Sequence, residues 1–296
     1  MSAASFNAVS VHTALLAGWR VARHHRALVV IATFAVLCER AVTLYVLWTG
    51  VSLREVALQY QEMLGEISRR PFAGADIIEQ YRALYAFMGV VGVLFALGAF
   101  LLVGLLGLLR DVLMQRSYQP REIVRRGKEF FWRVVRFKIP IYLAISATAV
   151  CAAPVLFSAA AHPALALLPA IAAALALFGV GFIGRVFLSL GPKVIVATGI
   201  REVLPVYGLI FRLVRPYTSS VFWFYTAVAG ITSLTLLVPT SMSFFNVPVS
   251  IVIVSTMLIA SFITVFAKAA AFAFYLQLDA SVGRSTDHRS KSLIYG

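Results

Sequence analysis

FWRVVRFKIPIYLAISATAVCAAPVLF, residues Phe131 to Phe157, runs from a basic, aromatic opening straight into an apolar stretch. From Phe137 onward it is long enough to cross a bilayer core, for which a helix needs about 20 residues. A membrane β-strand would instead show about ten residues of alternating apolar and polar character, and no such alternation is present. The segment is therefore a helix. Five further runs pass the same test: Leu28–Thr49, Tyr85–Leu109, Ala164–Leu190, Tyr217–Pro239 and Val249–Leu278. The six runs predict an all-α membrane protein with six transmembrane helices in a single domain over residues 1–296, their ends placed to within about three residues.

Composition agrees. Of 296 residues, 61% are hydrophobic and 13% charged, where a soluble domain has roughly 45–50% and about 25%. Hydrocarbon must be the solvent for much of this surface, and there the backbone has to satisfy its own hydrogen bonds. The first run is too long, and begins too late, for a cleavable signal peptide.

A net charge of +14 raises the question of nucleic acid, but the placement of the charges points to membrane orientation. Twenty of the 26 Lys and Arg lie before the first run, around the connections between runs two and three and between four and five, or after run six. That count includes Lys138, just inside run three, Arg185, in the last turns of run four, and Lys193, in the link that follows. The opposite connections hold only Arg54, Arg69, Arg70 and Arg82. Loops rich in Lys and Arg stay cytoplasmic, so both termini are expected inside a bacterial cytoplasmic membrane. The expected partners are membrane lipids, anionic ones first, and another membrane protein. No basic folded module for nucleic acid is visible.

The opening FWRVVR has two near-copies, GWRVAR at Gly18–Arg23 and IFRLVR at Ile210–Arg215, each again leading into an apolar run. In these motifs Trp19, Arg20, Arg23, Trp132, Arg133, Arg136, Phe211, Arg212 and Arg215 are candidate interfacial anchors, aromatic rings at headgroup level with arginines reaching phosphates. Two readings of the recurrence stay open. One is a chain of three repeated helix hairpins, units 1–110, 111–192 and 193–296. The other is that basic and aromatic residues recur wherever a helix enters from the cytoplasm.

Before run three, Ile123, Gly127, Phe130, Val134 and Phe137 share one helical face, which predicts an amphipathic interfacial helix drawn to anionic lipid. In the long connection 50–84, Leu53, Val56, Tyr60, Leu64 and Ile67 form a second amphipathic stripe. Asp76 and Glu79 there have the spacing of a capping box.

Two stretches, PREIVRRGKEFFWRVVRF from Pro120 and GPKVIVATGIREVLPVYGLIFRLVRPYTSS from Gly191, carry a resemblance. The chain resembles a broad family of six-span bacterial inner-membrane proteins, related to the membrane domain of glycerophosphoryl diester phosphodiesterases and including stand-alone members. Thr198 stands where many relatives carry an acidic residue before the glycine. The resemblance implies a six-span fold and no catalytic residues, because the phosphodiesterase chemistry belongs to a separate soluble domain.

Catalytic and metal motifs are not found. His12, His24, His25, His162 and His288 are scattered, without the spacing of a metal site, and no nucleophile has an evident base. Neither an enzyme nor a cofactor is expected. Cys38 and Cys151 fall within runs and read as small buried hydrophobes. Gly89, Gly92, Gly98, Gly104 and Gly107 in run two, and Ala172, Ala176, Gly179, Gly181 and Gly184 in run four, offer small surfaces for close helix contact.

The residues that stand out are the charges deep inside runs: Glu39, Arg40 and Lys268. Such groups are costly in hydrocarbon and usually face the bundle interior and pair. Glu39 and Lys268 sit at matching depth, about 15–17 Å from the basic side at 1.5 Å per residue, so they are expected to pair. The leading functional expectation is a non-enzymatic role in lipid or envelope homeostasis, or as a subunit of a membrane complex. The alternative is a small transporter or permease using Glu39, Arg40 and Lys268. A continuous water-filled cavity reaching Glu39 would favour it, whereas a dry, tightly packed core with an exposed apolar groove would favour lipid or partner binding. The topology predicts that cysteines placed at Ser68 and Ser117 react with an impermeant thiol reagent from opposite sides of the membrane, Ser68 outside and Ser117 inside. Reaction of both from one side contradicts the six-span arrangement.

Overall fold

The computed structural model of the chain describes residues 9–39, 58, 62, 69, 82–161, 163–244 and 248–294. Among these the chain is helical, with no strand. The helices are α1 (Val11–His24), α2 (Arg26–Glu39), α3 (Arg82–Leu113), α4 (Ile123–Ala161), α5 (Pro163–Thr198), α6 (Val203–Val214), α7 (Thr218–Phe244) and α8 (Val249–Ile294). Four segments are long and apolar enough to cross a membrane: Gly89–Leu113, Pro120–Val155, Leu168–Thr198 and Val254–Val282. The pair α1 and α2, bent by 92° at its junction, makes a fifth if counted as one span. The stripe and capping box expected at 50–84, and Arg40, lie outside the described residues.

The surface matches hydrocarbon as solvent. In the strongly apolar segment Leu168–Thr198 only 11% of the most apolar window is buried within the protein, and in Val254–Val282 50% is. Leu168, Leu175, Phe178 and Val150 point outward. So large an apolar surface is stable only against lipid or a partner. The packed interior concentrates around the middle of α8, where Phe272, Phe274, Tyr275 and Leu278 are buried and Phe274 stacks on Phe224 of α7 at 4.2 Å between ring centres.

The three basic-aromatic thresholds are built in three ways. In α1, Ser10 caps the first turn by accepting from the Thr13 amide. The small face Ala14, Gly18, Val21 and Ala22 then lies against α8. A Cβ at Gly18 would come within 2.7 Å of the Phe266 carbonyl and the Ala270 methyl, so only glycine permits this crossing. The chain then turns sharply at His25. At the second threshold there is no turn. The basic helix expected to lie separately in the interface is instead the first part of α4, a single 39-residue helix about 58 Å long at 1.5 Å per residue. At the third, α6 leads through one 3-10 turn, Arg215–Tyr217, into α7.

The stripe expected to face lipid is also corrected. Ile123, Phe130, Val134 and Phe137 are buried: the first turns of α4 lie against α3, and Phe137 lies against Gly191 of α5 and Tyr207 of α6. Ile123 packs on Gly104, Arg126 lies across Gly107, and Phe100 of α3 covers Gly127. Beside them the carboxylate of Asp111, 3% exposed, pairs with Arg126 at 2.8 Å. The apolar face of this amphipathic helix is therefore satisfied by protein, and its polar face by solvent.

The fourth run was expected to end at Leu190, before a cytoplasmic link. Instead α5 continues through Gly191 and Pro192 to Thr198. Gly191 is there for packing: any side chain on it would overlap the Phe137 ring of α4. Tyr207 of α6 clamps the same spot, stacking on that ring at 4.6 Å and donating its hydroxyl to the Phe137 carbonyl at 2.7 Å. Arg133 closes the end of α5 by donating to the Gly199 carbonyl at 3.1 Å.

His25, at the α1–α2 bend, lies 2.9 Å through Nδ1 from the Tyr118 hydroxyl in the α3–α4 connection. Burial, and then the charge of His24, hold its imidazole below the ordinary value near 6.5. The unfolded chain takes up this proton near pH 6.5 and the folded chain only at lower pH. Stability supplied by neutral His25 is thus full above about pH 6.5 and lost as pH falls through the folded value. The midpoint of thermal unfolding should fall between pH 7 and pH 5, less steeply in His25→Gln than in the parent. Parallel slopes would show that His25 does not couple to the fold.

Candidate functional site

Six helices leave between them a cavity of about 500 Å³. Its walls follow helical spacing. On α3 the lining side chains are Phe95, Ala99, Leu102, Val103 and Leu106; on α5 they are Arg185, Leu188, Ser189, Pro192 and Lys193. Glu39 enters from α2, Lys138 from α4, Tyr225, Val228 and Thr232 from α7, and Lys268 from α8. Most of the wall is aliphatic, but five charged side chains converge on it, four cations and one carboxylate.

Each charged residue is held by its helix. Lys138 follows the fully buried Phe137 and lies one turn beyond buried Val134, so α4 cannot turn it outward without exposing both. Arg185, Ser189 and Lys193 stand at i, i+4 and i+8, the spacing of one helix face. Lys193 is only 4% exposed. Its ammonium donates to the Ser189 carbonyl and, at 3.1 Å, to the Ser189 hydroxyl. Both are neutral acceptors one turn back on its own helix. Pro192 beside it has no N–H to give the carbonyl four residues earlier.

The charges most strongly felt by Lys193 are two more cations, Lys268 and Lys138. Glu39 acts on Lys138 and on Lys268, yet among the described residues no ion pair joins it to either. The expected Glu39–Lys268 pair is thus replaced by one carboxylate facing two lysines across a shared space. Tyr225 is 3% exposed, with Ser189 and Arg185 close to its hydroxyl. Among the described residues that hydroxyl meets no well-aligned hydrogen-bond partner, although Ser189 lies near enough to interact with it.

Of the sequence-derived site residues, the structure brings Glu39 and Lys268 together, and Arg40 lies outside the described residues. Lys138, Arg185 and Lys193 were missed as site residues because they read as part of the basic side. The spacing of Arg185, Ser189 and Lys193 within one apolar helix was the available signal. The anchor candidates do not share a site. Trp19, Trp132 and Phe211 are exposed at 48%, 65% and 60%, as are Arg20, Arg23, Arg136, Arg212 and Arg215. Arg133 is half-buried over the Phe130 ring. Cys38 is half-buried and Cys151 exposed, so neither is the fully buried small hydrophobe expected of it. Among the described residues no cluster of His, Cys, Asp or Glu is placed to hold a metal.

No protein-family model matches the chain, and neither a curated protein nor a solved structure is significantly similar to it.

The geometry predicts how the charges couple. Glu39→Gln should lower the thermal midpoint in detergent, because it removes the one acid among four cations. Adding Lys268→Met should restore part of the loss. A coupling of about 0.5–1 kcal/mol is expected, the low end of the range for neighbouring groups because Glu39 is exposed to the cavity. Strictly additive effects would mean that the two groups do not interact.

Proposed function

We propose that this chain is a non-enzymatic small transporter or permease of a bacterial inner membrane, taking a polar ligand into the cavity between its helices. The observation that carries the reading is a cavity deep in the bundle that reaches Glu39 and gathers Lys138, Arg185, Lys193 and Lys268. Binding compartments within a membrane commonly lie between helices and near the bilayer midplane. Ionisable groups there mark ligand paths more often than packing. Six spans complete the topology: the four long apolar segments, the first run from Leu28, and α7, whose 27 residues exceed the roughly 20 required. An even number of spans with the basic connections inside puts both termini in the cytoplasm.

A second reading, in lipid or envelope homeostasis or as a subunit of a membrane complex, has separate support. A groove of about 530 Å³ beside α1 is lined entirely by apolar side chains, among them Trp19, Phe262, Ile259 and Leu258. It suits a lipid acyl chain, and the exposed threshold arginines suit anionic headgroups.

The transport reading requires water in the cavity. Leu97 and Ala99 stand two residues apart on α3, on nearly opposite faces. Leu97 is exposed on the helix surface and Ala99 lines the cavity. In a background with Cys38 and Cys151 replaced by alanine, Ala99→Cys in proteoliposomes should react with a small charged thiol reagent, while Leu97→Cys should stay inert because a thiol ionises only where water reaches it. An inert Ala99→Cys rejects the reading.

A further inference from the structure

Four cations against one carboxylate leave the cavity with a surplus of positive charge. Such a surplus is costly where the dielectric is low, because neither water nor a counter-charge offsets it. Neutral Ser189 oxygens hold the Lys193 ammonium in place without neutralising it. A lysine can relieve repulsion by losing its proton, but the guanidinium of Arg185 stays charged. Glu39 offsets one charge of the four.

A second observation is independent of charge. The Tyr225 hydroxyl, an O–H donor in a residue 3% exposed, meets no well-aligned acceptor among the described residues, and the nearby Ser189 oxygen already accepts from Lys193. Buried polar groups are nearly always partnered, and this one lies beside Ser189 and Arg185, at the same wall as the cations. An oxygen-rich anion resting there accepts from Tyr225 and neutralises the cations together.

Building on the transport reading, we propose that the cavity is an anion site for a phosphate-bearing group, with Lys138, Arg185, Lys193 and Lys268 around the phosphate and Tyr225 donating its hydroxyl to it. A phosphate carrying two charges matches the surplus better than a single carboxylate does. Glu39 holds the empty cavity at a lower net charge, so it can exist without ligand. At about 30 Å³ per water-sized volume, a cavity of about 500 Å³ exceeds a bare phosphate several-fold. The remaining space is bounded by aliphatic walls such as Leu102, Leu106 and Ile139. The phosphate therefore arrives either as the headgroup of an anionic phospholipid, with apolar atoms along that wall, or as a hydrated free anion.

The full-length protein is reconstituted in nanodiscs of phosphatidylcholine alone, and thermal unfolding is followed with inorganic phosphate, with potassium chloride at the same ionic strength, or with phosphatidylglycerol added to the disc. A rise of about 4–8 °C with inorganic phosphate but not with chloride supports the site and assigns a free anion. The same rise with phosphatidylglycerol alone supports it and assigns a lipid headgroup. Two variants locate the effect. Lys193→Met should raise the midpoint without anion, by relieving repulsion, and shrink the anion-induced rise by at least half. Tyr225→Phe removes a hydroxyl without a well-aligned partner, so it should fold about as well as the parent and also shrink that rise. Arg201→Gln, on the exposed surface and outside the threshold motifs, should leave the rise unchanged. Absence of any rise, or a rise kept in full by both cavity variants, overturns the proposal. If Ala99→Cys is reactive and no anion acts, the cavity reading survives and the ligand class is wrong; if both fail, the reading itself fails.

Discussion

A lysine ammonium held inside a helix bundle with only neutral oxygens for partners is the constraint on which the site depends. Lys193 is there because α5 does not stop at Gly191 and Pro192. The bare Cα of Gly191 lets α5 close onto the Phe137 ring, Tyr207 locks that ring from the other side, and the next turn of helix carries Lys193 into the space behind. Remove the close approach and Lys193 moves outward, leaving a smaller cluster of charges. Packing at one aromatic ring thus sets the electrostatics of the cavity, and the electrostatics define what the cavity can hold.

The architecture divides the work between two regions. Around α1, α7 and the middle of α8, stacked rings and small residues make a dense interior, with Phe224 on Phe274 and Gly18 against Ala270. Toward α4 and α5 much of the surface points out to hydrocarbon, although these two helices pack closely on each other. Cores tolerate little change in volume, so the dense region serves as the frame, and the cavity lies between it and the α4–α5 pair. The same division accounts for the three ways of building a threshold. The chain turns by 92° after α1, whose small face is captured by α8, whereas the second threshold continues as one helix, α4, with its first turns against α3.

Helices and spans were legible in the sequence because hydrocarbon imposes a length and a composition that few other structures share. Spacing put Val134 and Phe137 on one apolar face, but that face was assigned to lipid and is covered by protein. What escaped notice had physical causes. Gly191-Pro192 reads as the end of a helix, since both residues usually break one, but here the glycine answers to a neighbouring ring and the proline is carried within a long helix. Lys193 was therefore assigned to a loop. The stripe from Ile123 to Phe137 has the same period whether lipid or protein covers it, and only the glycines of α3 decide between the two. The expected Glu39–Lys268 pair rested on matched depth, a one-dimensional measure. Which cations share a carboxylate depends on how helices are arranged around one another, and depth does not report that.

The account rests on the claim that the surplus positive charge in the cavity is neutralised by a bound phosphate. Native mass spectrometry of the protein, released from membranes with its associated lipids, measures this directly. One tightly held phosphate-bearing mass per chain is predicted, with a Lys138→Met, Lys193→Met double variant carrying it at no more than about a tenth of the parent occupancy, the tenfold loss that follows from about 1.4 kcal/mol of lost binding. A parent spectrum dominated by the bare chain, or an adduct retained undiminished in the double variant, would contradict it.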